Sequence, residues 1–129
     1  MVVETKSAAT HDEKLMAVAS HASLAIFFIG PFTMVIPLVI WLLPKSSRFV
    51  QFHAKQAFFY QLCVYIVAAV LLIVIALLSL IFIGKLLTPF YILAWILVII
   101  YSLYGAWQVW KDQPFRYLFI ADFIDAGEK

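Results

Sequence analysis

The sequence predicts an all-α, polytopic helical membrane protein: a short broken helical hairpin followed by two long membrane-crossing helices. Three observations carry this. Hydrophobic residues make up 66% of the 129 and charged residues 12%, against roughly 45–50% and about 25% in soluble domains. All acids lie near the ends, and nothing between Glu13 and Asp112 is acidic. Lys and Arg cut the middle into three uncharged runs, Leu15–Pro44, Gln56–Gly84 and Leu86–Trp110. Each exceeds the ~20 residues that cross a hydrocarbon core about 30 Å thick. Lipid offers backbone groups no partners, so the runs must be helical in so short a chain.

The same composition excludes other classes. So few charges cannot solvate a soluble monomer, and the chain is too apolar to stay disordered. A net charge of +2 is too small for a nucleic-acid binder, which needs clustered Lys and Arg on a polar face. Cys63 stands alone, so neither an internal disulfide nor a Cys-based metal site is available. The first 14 residues mix both charge signs, and the N-terminus reads as retained rather than as a signal peptide.

One membrane domain is expected over 1–129. Residues 1–10 form a polar tail. Thr10 and Glu13 match a capping box that opens a first helix over 11–29. Its Ala17, Ala19, Ser20, Ala22, Ser23 and Ala25 suit close approach of a neighbouring helix. Gly30 and Pro31 break it, and a second helix follows over 32–43 with Pro37 inside. Ser46 or Ser47 caps a third helix over 47–84, interfacial at its start and membrane-buried from about Tyr60. Lys85 and Thr88-Pro89 form a short polar turn. The fourth helix covers 89–111, with Trp107, Trp110 and Lys111 at its interface. Residues 112–129 form an interfacial tail, lying on the membrane or docking on a partner.

Residues 15–44 are long for one crossing and short for two. Charge placement arbitrates. A single crossing sets six Lys and Arg against three, whereas a turn at Gly30-Pro31 leaves Lys85 alone opposite the other eight. The hairpin is therefore preferred, fully crossing or re-entrant. Both termini are then cytoplasmic, in an inner or plasma membrane.

Three segments carry a resemblance: Ala19-Ser20-His21, the run Arg48-Phe49-Val50-Gln51-Phe52-His53-Ala54-Lys55-Gln56-Ala57, and Pro114-Phe115-Arg116-Tyr117. Over about 14–120 the chain resembles a family of small prokaryotic membrane proteins of uncharacterised function. That family is related to the small channel-like Tic subunit of chloroplast protein import. The resemblance implies a helical-hairpin membrane fold and no known catalysis.

The polar residues inside the apolar runs are the candidate functional groups, since membranes make them expensive. His21 lies well inside helix one, where a packing hydrogen bond is the leading reading. His21 or His53 as a ligand of haem or chlorophyll is the minor alternative; no cofactor is otherwise expected. Gln51, His53, Lys55 and Gln56 form a polar cluster at the interface, read either as the amphipathic start of the helix with Lys55 snorkelling or as a contact surface for partner or lipid phosphate, to which Arg48, Lys55 and Arg116 bring charge. Gly30, Pro31 and Pro37 mark helix breaks. Thr33 and Ser79 can bond back to their own helices, and Cys63 reads as an inert packing residue.

An enzyme is not expected. The spans hold no carboxylate, and no His stands near Ser79 or Ser102 in sequence to activate them. No catalytic or metal-binding residue emerges. Two function classes remain. The first is a non-catalytic interaction, accessory or assembly subunit of a larger membrane complex. The second is an oligomeric transport or protein-translocation component. Few crossings and apolar spans favour the first. Partners are the bilayer and other membrane subunits or further copies of the chain, without nucleic acid.

Overall fold

The computed structural model describes residues 9–44 and 46–127. Most of the expected N-terminal tail, together with Lys45 and the last two residues, lies outside them. The described residues are helical throughout their regular structure, with no strand. The elements are α1 His11–Ala22, a 3₁₀ segment Ser23–Met34, α2 Val35–Leu42, α3 Arg48–Ser79, α4 Ile83–Trp110 and α5 Ile120–Gly127. Three stretches are long and apolar enough to cross a membrane: His11–Leu42, Arg48–Ser79 and Ile83–Trp110.

The first stretch is not one straight helix. Thr10 and Glu13 make the expected reciprocal capping box. α1 then loosens into 3₁₀ turns and breaks at Gly30, whose φ of +68° costs little only for a residue without Cβ. The chain folds back, so that α2 lies beside α1. Thr33 reaches Gln61 of α3 and Trp41 reaches Phe58 and Phe59, so α2 runs antiparallel to α3. The expected broken hairpin is present.

Its depth follows from neighbours at the tip. Tyr65 donates to the Gly30 carbonyl at 2.7 Å, and Phe27 and Tyr65 both pack on Trp95. Trp95 lies roughly midway along α4 between Lys85 and Trp107, about 15 Å from one and about 18 Å from the other at 1.5 Å per residue. The hairpin thus reaches the middle of the bundle and stops. Beyond it, among the described residues, only α3 and α4 continue, with Ile73, Leu77 and Phe90 exposed.

Ser47 caps α3, accepting from the Val50 N–H, while Ser46 donates back to Ile40 and Leu43 carbonyls. α3 ends at Ser79, earlier than expected, and the turn is the apolar Leu80–Phe82 rather than Lys85 and Thr88-Pro89. The reason is contact. A Cβ on Gly84 would lie 2.2 Å from both the Ile75 carbonyl oxygen and Ser79 Oγ. Glycine at 84 lets α4 start directly against the end of α3, with Pro89 inside α4.

α4 ends in a Schellman arrangement. The Gln113 N–H bonds the Gln108 carbonyl, and the Asp112 N–H bonds that of Val109, with Asp112 left-handed at φ +61°. This pairing satisfies terminal carbonyls and reverses the chain. The segment 113–119 therefore returns into the bundle before α5 begins.

Candidate functional site: a buried polar network closed by the returning segment

Ser102 on α4, His21 on α1, His53 on α3 and Tyr117 on the returning segment meet in the interior. His21 and Ser102 are buried almost completely, as are Tyr117 and His53. His21 Nδ1 lies 3.0 Å from Tyr117 Oη, and His21 Nε2 lies 3.0 Å from His53 Nδ1. Tyr117 also donates to Ser102 Oγ at 3.3 Å, and Ser102 donates to the His21 carbonyl.

One proton assignment satisfies every contact. With Tyr117 donating to Ser102, its oxygen accepts from His21 Nδ1–H. His21 Nε2 then accepts from His53 Nδ1–H. Both imidazoles are neutral in this arrangement. Burial holds the Tyr117 phenol well above the ordinary tyrosine range, so it remains a hydroxyl donor.

A second set of bonds anchors the segment's backbone. Gln56 accepts from the Tyr117 N–H at 2.9 Å and donates to the Phe115 carbonyl at 3.4 Å. The Tyr117 ring stacks on Tyr60 at 4.0 Å between centroids, nearly parallel. Phe115 occupies the space above Gly105, where a Cβ would lie 2.5 Å from Phe115 Cε1. Part of the expected interfacial tail is therefore core, because Phe115 and Tyr117 are buried. Only its later portion presents apolar groups outward, at Leu118, Phe119 and Phe123.

A third set holds the hairpin. Gln61 donates to Ser23 Oγ at 2.7 Å and to the Ser20 carbonyl at 3.3 Å. Thr33 donates to Gln61 Oε1, and its hydroxyl also meets Tyr65 Oη at 2.9 Å. Thr33 thus bonds α3 rather than its own helix, contrary to expectation, because the fold-back carries it against Gln61. Ser79 does bond back, to Ile75.

The predicted polar cluster divides by helix face. His53 and Gln56 turn inward. Arg48 and Gln51 turn outward, Gln51 donating to the Ser46 carbonyl. Lys55 sits over the Trp41 ring at 5.6 Å. Arg116 pairs with Asp125 at 2.5 Å and Asp122 at 3.3 Å, and these bonds raise its already high pKa. Its charge is offset within the chain, which weakens the case for a basic contact surface. Pro37 is buried in α2. Cys63 is exposed beside a groove of about 340 Å³, so it is not the packing residue expected.

His21, His53 and Gln56 stand out in the sequence, but their convergence does not. Gln61 and Tyr65 do not stand out as candidates, and Tyr117 stands out only as part of the Pro114–Tyr117 segment. The signal for Gln61 was present, since a glutamine within an apolar run demands a partner. Tyr117 gave no such signal, because a tyrosine after the last helix looks like an interface residue. Among the described residues no three His, Cys, Asp or Glu side chains group to hold a metal ion. Both ring nitrogens of His21 are engaged within the protein, so a haem or chlorophyll ligand there would have to break one of these bonds.

The profile of the MamF/MmsF family, described as the magnetosome magnetite crystal formation protein family, matches residues 12–124. The chain belongs to the MamF/MmsF family. This overturns the Tic-related resemblance, which rested on three short segments, whereas the match covers α1 through most of α5. No curated protein and no solved structure matches the chain. The MamF/MmsF match also spans every residue of the network, from Ser20 and His21 to Tyr117. Family membership and the long apolar helices together make this a membrane protein.

Proposed function

We propose that the chain is a non-catalytic accessory protein of the magnetosome membrane that acts in magnetite crystal formation. The family match over residues 12–124 carries this reading. The interior chemistry supports it. Among the described residues no buried side-chain polar atom lacks a hydrogen-bond partner. A network whose members satisfy one another rigidifies and specifies a packed arrangement rather than offering groups to a substrate. An oligomeric conduit would need polar side chains turned to a shared lumen, whereas these close on each other. The reading also takes both termini as cytoplasmic, from the placement of Lys and Arg.

Deleting the chain from a magnetosome-forming host and measuring crystals by electron microscopy tests it. Smaller or misshapen crystals, restored by the intact chain, are expected. Unchanged crystal size and number would refute it. Mild detergent extraction then identifies which membrane subunits travel with it.

A further inference from the structure

The two halves of the bundle differ in the number of helices they hold. On the side of the α3–α4 turn, among the described residues only α3 and α4 are present beyond the level of Trp95. On the other side, α1 with its 3₁₀ extension and α2 are added, and α5 lies across that end against α3. Aromatic and basic residues mark this crowded end: Trp41 with Lys55, Trp107 with Lys111, and Trp110 with Lys14. Lys85, over Phe82, marks the other. From Lys85 to Trp107 is about 33 Å of helix, close to the hydrocarbon thickness of about 30 Å. The hairpin tip at Gly30 therefore ends near the bilayer midplane.

We propose that this chain is a membrane wedge, expanding the leaflet that holds its termini and favouring bilayers that are convex on that side. Its partner is the lipid surface itself. The hairpin displaces acyl chains in one leaflet only. Three features seat it there. Phe28 and Phe32 flank the tip, and both are strongly exposed. α2 shows Val35, Val39 and Leu42 outward, a face covered by lipid chains. In the same leaflet, Leu118 and Phe119, which border the groove beside Tyr60 and Val98, and Phe123 of α5 are exposed at 72%, 84% and 67%, while Asp122 and Asp125 hold Arg116 on the polar side. An apolar face inserted at headgroup depth responds to curvature. Hairpin and α5 load the same leaflet, so their effects add. The idea does not depend on a role in crystal formation, because it concerns only helix depth and lipid area.

Two measurements test it on the full chain. The first fixes depth. A Cys63→Ser background carrying Phe32→Cys is labelled with a fluorophore in phosphatidylethanolamine–phosphatidylglycerol vesicles. Quenching is expected to peak with spin labels near the chain ends of the lipid. Reaction of residue 32 with a water-soluble reagent from the Lys85 side would mean a full crossing and would overturn the wedge. The second reads curvature. Gln113→Cys in the same background carries a dye, and thin tubes are pulled from giant vesicles of that lipid mixture. Copies with residue 113 outward are counted as the signal lost to an external, impermeant quencher. They should be enriched on tubes by about twofold or more over the flat membrane, and copies of the opposite orientation depleted. Equal densities on tube and flat membrane, or enrichment independent of orientation, would overturn the proposal even if deletion alters crystals.

Discussion

His21 on α1 and His53 on α3 face one another across 3.0 Å in the interior, and His21 passes the contact on to Tyr117 through its other nitrogen. The pair joins the first hairpin, the long third helix and the returning segment. His21→Leu leaves His53 Nδ1 buried without its partner, at a cost of about 1–3 kcal/mol. His21→Gln can still donate and accept and should lose less. Thermal unfolding of both variants in detergent measures the difference. Equal losses would mean that the ring's volume, not its hydrogen bonds, matters.

The contact between Gly105 and Phe115 is steric. Gly105→Ala places a methyl group against the phenyl ring and should destabilise by about 1–3 kcal/mol through overpacking. Phe115→Leu alone opens space. Combined, the two changes should cost at least about 0.5 kcal/mol less than their sum, as expected for residues in contact. Additive losses would show that the segment does not seat over Gly105.

Burial of Tyr117 also predicts a response to pH. Its folded-state pKa is raised, so above about pH 10 the unfolded chain releases a proton that the folded chain keeps. Stability from this residue is fully present below that value and falls as pH rises through it. Tyr117→Phe should flatten the alkaline decline while lowering stability at neutral pH, where the bonds to His21 and Ser102 are lost. Urea midpoints from pH 7 to pH 11 in both proteins check it. Parallel profiles would place the phenol in water.

Topology offers the fourth prediction. Lys14 and Asp112 pair at 2.9 Å, so the start of α1 and the end of α4 share one end of the bundle, opposite Lys85. Single cysteines at Leu86 and Gln113 in a Cys63→Ser background should label from opposite sides of the membrane. With the chain expressed in the inner membrane of a host that forms no magnetosomes, residue 86 should react from outside intact cells and residue 113 only after permeabilisation. Labelling of both from one side would contradict the bundle, and the reverse order would invert the cytoplasmic assignment.

Much of the architecture was legible in the one-dimensional pattern. Apolar runs separated by Lys and Arg specify membrane helices, because lipid tolerates neither charge nor unpaired backbone. Thr10 with Glu13 marked the start of α1, Ser46 or Ser47 that of α3, and Gly30-Pro31 the break in the hairpin. These signals are local: each depends on residues a few positions apart. The depth of the hairpin, the turn at Leu80–Phe82 and the closure of the network were decided by tertiary contacts. Tyr65 meets the Gly30 carbonyl, Gly84 meets Ser79, and Tyr117 meets His21 only after the helices have packed. Burying a polar group is costly until its partner arrives. The sequence therefore called for a hydrogen-bond partner for His21, and the folded bundle determined that His53 and Tyr117 supply it and that Gln56 and Gln61 are buried and need partners as well.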